Sequence, residues 1–314
     1  MNTVPWADRG ACVAAGARRR DGSALRALMA AWLDGGADVH DQHRLAKTLE
    51  DRRTPADAVA AALVAAPAQC RALTAAGPVA VLPSYGGGEA GPSLTPLLAL
   101  RVAHEGARVP VHGPREVAGR VGSAQILPDL GLAIARGAAD VAASWARCEP
   151  AFVPLDVLCP PLAASIAAPG DPDARAIARW AATLLGPVRP GPAVRVLGSA
   201  GGSQDAQPPR PGIALVTGAP WMLVRGVDGE PVVDARRLPT IDAWIGGRGR
   251  ADLSCAGGDS RPGDWPLLPS RPDAAATAMY IQAVASGARP SPAALEYQVA
   301  LLLAALRAVD ARPR

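Results

Sequence analysis

The hydrophobic rhythm of this chain changes once, at Gly77, and that change limits the folds open to it. Before it, apolar residues recur only at helical spacing. Leu25, Leu28, Met29, Trp32 and Leu33 share one helix face, and Gly35-Gly36 ends the run because glycine accepts the left-handed turn that closes a helix. Leu45 and Leu49 mark a second helix. Thr54-Pro55-Ala56-Asp57 predicts the start of a third, with Thr54 as N-cap, Pro55 in the first turn and Asp57 near the positive helix end. After Gly77 the pattern is different. Val79–Leu82 predicts a buried strand, Tyr85–Gly91 a glycine-rich loop, the stretch from about Leu94 to Gly106 a helix, and Val109–Val111 the next strand. Strand, loop, helix, strand is a crossover unit, which makes neighbouring strands parallel. Further strands are expected at Ala193–Leu197, Ile213–Val216 and Trp221–Val224, and helices at Ser123–Leu130, Ala274–Ala285 and Pro292–Val309. The expected fold class is α/β: a small N-terminal all-helical lobe, residues 1–75, and a larger α/β domain, residues 76–314, with a mainly parallel sheet.

Composition narrows the function classes. Apolar residues make up 49% of the 314 and charged residues 19%, enough for a core and too apolar for a disordered chain. Net charge is +4, spread thinly: 10 basic against 8 acidic groups in residues 1–75, 10 against 9 in 76–200, and 12 against 11 in 201–314. No stripe of basic residues demands a nucleic-acid partner, though a patch is permitted. Arg18-Arg19-Arg20 could touch phosphate or simply be solvated. Lys47 is the sole lysine, so arginine abundance reads as coding bias. Five cysteines, at 12, 70, 148, 159 and 255, are scattered without a C-x-x-C pair, so neither a disulfide framework nor a zinc site is suggested. The Ala-rich stretch from Val59 to Leu82 is broken by Pro67, Arg71 and Pro78 and cannot span a bilayer. A cytoplasmic protein with no membrane partner is expected.

The chemistry-bearing residues cluster after the first strand. Gly86-Gly87-Gly88 lies between strand and helix, where bare backbone N–H groups and a helix N-terminus favour an anion. Glu89 in the same loop, and the lack of any Lys or Arg between Arg71 and Arg101, leave a plain surface loop as the alternative. His112 closes the second strand and reads equally as a structural histidine. His40 and His43, with Asp38 and Asp41 nearby, could hold a surface metal or lie on a solvated helix face.

Four stretches carry a resemblance. Pro83-Ser84-Tyr85-Gly86-Gly87, Ser93-Leu94-Thr95-Pro96, Val111-His112-Gly113-Pro114 and Gly122-Ser123-Ala124-Gln125 resemble the G-T-G-G-D, N-I-S-T, K-H-G-N and G-S-A-D segments of the anthranilate phosphoribosyltransferases (glycosyl transferase family 3). Arg179 to Pro187 is similar to that family's R-T-x-F-N-L-L-G-P. The resemblance implies a ligand crevice lined by Tyr85, Gly86, Gly87, Thr95, His112 and Gly113. It also implies that Arg179 stands where a carboxylate would be held, and that helices from about 160–187 join the N-terminal lobe. The family's adjacent Asp-Glu pair, which binds Mg²⁺, is replaced by Asp228-Gly229-Glu230-Pro231. Catalytic residues, metal and cofactor are therefore all expected to be absent.

Pro83-Ser84-Tyr85, Leu94 to Leu100, Phe152-Val153-Pro154, Leu158-Cys159-Pro160-Pro161-Leu162, Arg225 to Glu230 and Asp234-Ala235-Arg236-Arg237-Leu238-Pro239 resemble a divergent, DNA-binding branch of the same family. That likeness implies a homodimer, formed through the helical lobe over Ala24–Ala66, that binds nucleic acid, single- or double-stranded, without sequence preference. Arg115, Arg120, Arg236 and Arg237 are the candidate phosphate contacts. Residues 86–91 and 167–173 lack the positive charge that the branch carries in those places. Two other readings stay open: transfer of a phosphoribosyl group to an aromatic acceptor, and a dimeric pseudoenzyme binding a small ligand or a protein.

Overall fold

The structure, a computed structural model, describes residues 22–50, 70–85, 91–116, 119–167, 178, 181–188, 193–199, 219–225, 230–258, 266–270 and 273–311. Two helices open it: α1, Gly22–Leu33, and α2, Val39–Glu50. Gly35 ends α1 at φ +74°, with its N–H on Trp32 O, and the Gly36 N–H returns to Ala31 O at 2.8 Å. The helix expected from Thr54, the strand expected at Ile213–Val216 and the Arg18–Arg20 triplet lie outside the described residues.

The α/β part runs β1 (Val79–Pro83), α3 (Thr95–His104), β2 (Pro110–Gly113), α4 (Ser123–Asp129), α5 (Ala138–Ala146) and β3 (Ala151–Pro154). It continues with α6 (Leu155–Leu158), α7 (Pro160–Ala167), β4 (Ala193–Ser199), β5 (Trp221–Arg225), β6 (Leu238–Ile245), β7 (Arg248–Gly249), β8 (Cys255–Gly258), α8 (Ala274–Ala285) and α9 (Ala293–Asp310). The strands form one sheet in the order β3-β2-β1-β4-β5-β6-β7, with β8 also on β6. From β3 to β5 all neighbours are parallel, and the pairings of β6 with β5, β7 and β8 are antiparallel. The mainly parallel sheet is as expected. The antiparallel group and β3 are additions that the sequence pattern did not announce.

Alternation along the strands divides the core. Val79, Val81, Leu197, Trp221 and Leu223 meet Met29 and Leu33 of α1, Leu158 and Leu162, and Leu184-Leu185. Ala80, Leu82, Val194, Val196, Met222 and Val224 meet Leu97-Leu98 of α3 and the apolar sides of α8 and α9. Because helices cover both faces, β1 is buried at every position, which is why it reads as an unbroken apolar run. Arg101 of α3 grips Glu296 of α9 with two hydrogen bonds of 2.9 Å. The apolar stripe of α1 is thus used within the chain's own core.

Strand order decides where a site can form. β1 has β2 on one side and β4 on the other, so the connections leaving these strands diverge. In such sheets the crevice for a ligand opens beyond the carboxyl ends of the strands where the order reverses.

Candidate functional site

Four of the residues singled out by sequence gather at that carboxyl end. Tyr85 follows β1, Thr95 opens α3, and His112-Gly113 end β2. The Ser84 N–H donates to His112 O at 2.7 Å, so the two strand ends run close together. A Cβ on Gly113 would stand 2.0 Å from Ser84 O and 3.0 Å from its carbonyl carbon. Glycine is required there by the backbone itself. Ser84 Oγ and Ser123 Oγ then share a buried 2.8 Å hydrogen bond that ties β1 to the start of α4.

Tyr85 Oη lies 2.9 Å from His112 Nδ1, with the rings edge to face and their centroids 5.5 Å apart. His112 is fully buried, and removal from water lowers its pKa to about 3, with the nearby Arg195 cation adding to the effect. The neutral ring accepts the tyrosine proton at Nδ1 and carries its own at Nε2, which has no hydrogen-bond partner among the described residues. Burial likewise pushes the Tyr85 phenol well above its ordinary value, so it stays protonated. Arg195 stacks over Trp221 at 4.9 Å and donates to Leu184 O at 3.4 Å, filling the space beside Gly186.

Glu230 is buried at the N-terminus of α3. Its Oε2 accepts a hydrogen bond from Ser93 Oγ at 3.3 Å and a short one from Thr95 Oγ1. The next residues are held as firmly: Gln298 of α9 donates to Pro231 O at 2.7 Å and accepts the Val233 N–H at 2.9 Å. Gln125, where the family carries an acidic residue, accepts the Gly122 N–H at 3.0 Å and so satisfies the backbone donor that opens α4. A magnesium site of the kind the fold family implies needs several oxygen ligands. Among the described residues no cluster of three or more His, Cys, Asp or Glu is present, and Glu230 is engaged by hydroxyl donors. The described residues do not fit that group.

The four arginines adjoin strands whose ends lie at this side of the sheet. Arg115 and Arg120 follow β2, while Arg236 and Arg237 precede β6, which starts beside the carboxyl end of β5. From β2 to β6 is four strand spacings, roughly 19 Å. Arg115 pairs with Asp156 at 3.2 Å, and Arg236 with Asp234 at 3.0 Å. Arg237 reaches Asp234 at 4.0 Å, and Arg225, which sequence reasoning passed over, pairs with Asp242 at 2.6 Å. Asp234, which lies only two and three positions before these arginines, was the signal for their pairing. Gly86, Gly87 and Arg179 lie outside the described residues.

Sequence distance concealed one further cluster. Cys70 and Cys159 meet beneath Tyr85, their thiols hydrogen-bonded to each other. Scattered spacing gave no hint of this.

No protein-family model matches the chain. It is 30% identical over 233 residues to the uncharacterized protein YbiB of Escherichia coli (strain K12), an alignment covering 72% of this chain and 68% of that protein. Its fold is similar to the crystal structure of anthranilate phosphoribosyltransferase from Thermus thermophilus, with a TM-score of 0.64 at 18% identity, covering 96% of this chain and 88% of that one. The Saccharomyces cerevisiae enzyme in complex with PRPP and Mg superposes with a TM-score of 0.56 at 14% identity, over 91% of this chain and 83% of that one. Among the described residues no helix is long and apolar enough to cross a membrane. The chain belongs to the YbiB family and carries the anthranilate phosphoribosyltransferase fold.

Proposed function

We propose that this chain is a sequence-independent nucleic-acid-binding protein that grips phosphates along the carboxyl edge of its sheet and transfers no phosphoribosyl group. The reading is supported by the element order, in which Arg115 and Arg120 follow β2, Arg225 ends β5, and Arg236 and Arg237 precede β6 at the carboxyl end of β5. Their carboxylate partners do not forbid it. Exposed ion pairs are worth about 0–1 kcal/mol, so a phosphate can exchange with Asp156, Asp234 or Asp242. The same partners keep the edge close to neutral, so binding is modest and steeply salt-dependent. Glu230 supports the second half of the proposal, because a buried carboxylate at the N-terminus of α3 repels the diphosphate of a sugar donor.

The test is an anisotropy titration of a labelled single-stranded and a labelled duplex DNA at two salt concentrations. Arg236→Ala/Arg237→Ala should weaken both and reduce the salt slope by roughly two if both touch phosphate. An unchanged slope with reduced stability assigns the pair to Asp234 alone. No binding at low salt ends the reading.

Phosphoribosyl transfer is the second reading. It is favoured by the crevice itself, where Thr95, His112 and Gly113 line the strand ends as in the transferase motifs. Turnover of anthranilate with phosphoribosyl pyrophosphate and Mg²⁺ by purified protein would establish it.

A further inference from the structure

Segment 70–73 precedes β1 and packs on the core that α1 and α7 share with the sheet. The Arg71 N–H donates to Leu158 O at 2.8 Å, and the Leu73 N–H donates to Pro187 O at 2.7 Å. The first of these bonds sets Cys70 beside Cys159. The Cys159 thiol is hydrogen-bonded to that of Cys70, and both sulfurs act on the Tyr85 phenol. Cys70 is partly exposed and Cys159 is buried.

The position of Cys159 is as telling as the contact. Its carbonyl accepts the Ala163 N–H at 3.1 Å, the first bond of α7, so Cys159 is the N-cap of that helix. Pro160 and Pro161 fill the first two helical positions, where a missing N–H costs nothing. The first available donor is the Leu162 N–H, which hydrogen-bonds the sulfur. A cysteine at a helix N-terminus with donors aimed at it favours the thiolate. Here these bonds outweigh burial and hold Cys159 below the ordinary thiol range. The pair therefore joins an accessible thiol to a neighbouring nucleophile.

We propose that Cys70 and Cys159 form a reversible intramolecular disulfide, made by a peroxide and broken by a dithiol, that staples the segment leading into β1 to the N-terminus of α7 under Tyr85. The Cys70 sulfur attacks one oxygen of the peroxide. The O–O bond breaks, one water leaves, and Cys70 becomes a sulfenic acid. The Cys159 thiolate then attacks the Cys70 sulfur and expels hydroxide, which takes up the proton lost from Cys159 and leaves as the second water. Two thiols and one peroxide give one disulfide and two waters. Each sulfur supplies one electron of the pair that reduces the peroxide. A dithiol reverses the step by attacking one sulfur and closing its own disulfide.

The staple alters the surroundings of the Tyr85–His112 pair directly. Oxidation replaces both thiols beside the phenol with a disulfide.

The experiment treats the full-length reduced protein with one equivalent of hydrogen peroxide, blocks remaining thiols with iodoacetamide, and maps peptides without reduction. The expected result is one linked pair, the Cys70 peptide with the Cys159 peptide. It disappears after dithiothreitol, while Cys148, which is exposed, and Cys255 stay alkylated. Thermal unfolding of the oxidised protein should shift upward and return on reduction. In Cys70→Ser the linked peptide is lost, and Cys159 is not oxidised at the same dose. Peroxide consumption by Cys148 alone, a mixed linkage to Cys148 or Cys255, or Cys70 and Cys159 both alkylated after treatment would overturn the proposal. The peptide map of the unsubstituted protein decides the question even if a serine variant does not fold.

Discussion

Replacing Thr95 by Val tests whether Glu230 is a structural anchor. The two side chains have nearly the same shape, so the substitution removes a hydroxyl and leaves no cavity. Thr95 is fully buried and Glu230 is 3% exposed, so water does not replace the lost donor. A hydrogen bond to a charged group contributes about 1.5–3 kcal/mol, and the bond from Ser93, longer at 3.3 Å, takes up only part of the loss. The expected cost is therefore about 2 kcal/mol, or roughly 3 °C of melting temperature for a chain of 314 residues. Ser93→Ala should cost less, about 1 kcal/mol, because it deletes the weaker bond. The double variant should cost more than the sum, since the carboxylate then loses both hydroxyls. Urea unfolding at equilibrium gives each value from the midpoint, provided the slope stays constant. A Thr95→Val midpoint within about 0.5 kcal/mol of the parent would refute the reasoning. So would a rise in the parent's melting temperature on adding millimolar Mg²⁺ that Thr95→Val abolishes, because Glu230 would then be serving a metal.

His112 is held neutral with a pKa near 3 against about 6.5 when unfolded, so the unfolded chain takes up the proton first as pH falls. Stability should be greatest above pH 6.5 and decline by about 2 kcal/mol by pH 5, a decline that His112→Gln should flatten in urea titrations. Gly113→Ala and Gly186→Ala both put a Cβ about 2 Å from another atom. For Gly113 that atom is the Ser84 carbonyl oxygen, while for Gly186 it is the end of the Arg195 side chain. Circular dichroism melts should show Gly113→Ala losing about 3 kcal/mol or more, whereas Gly186→Ala loses about 1 kcal/mol as Arg195 swings off Trp221. A homodimer through the helical lobe remains a proposal. Light scattering at micromolar concentration should give twice the chain mass, and a monomer mass would remove it.

The sequence revealed the layers better than the contacts. β1 and α3 were legible because an unbroken apolar run gave way to glycine and then to a helix with proline in its first turn. α8 was legible because Asp273 caps it by accepting the Ala276 N–H. β6 was not: Pro239 and Asp242 break its apolar run, and its strand character comes from pairing with β5 and β8. β3 has four residues, too short for a period of two to show. The strand ends with Tyr85, Thr95, His112 and Gly113 followed from resemblance, and their roles in the fold did not. Glu230 was read as a poor remnant of an acidic pair, yet its carboxylate organises the start of α3. Arg236 was read as a phosphate contact, and the structure pairs it with Asp234 at 3.0 Å. Such contacts join residues far apart in the chain, and no local pattern encodes them.

The start of α3 keeps the helix N-terminus of the fold and turns its flanking hydroxyls to a side chain of the same protein. A helix N-terminus attracts one anion, through free N–H groups and the positive end of the dipole. In this chain Leu94 occupies the N-cap without a side-chain cap, and the flanking hydroxyls of Ser93 and Thr95 turn to Glu230. The carboxyl group that stands beside this helix start is thus part of the protein. A diphosphate arriving there would meet the buried Glu230 carboxyl group, already engaged by Ser93 and Thr95. Displacing Glu230 is no remedy, because Gln298 holds Pro231 and Val233 in place. The arginines, by contrast, are paired only at the surface, where a carboxylate and a phosphate exchange at little cost. On the function proposed above, this sheet edge would turn away a small anion at its centre and take a long one along its rim, which is the distinction between a sugar diphosphate and a nucleic-acid backbone.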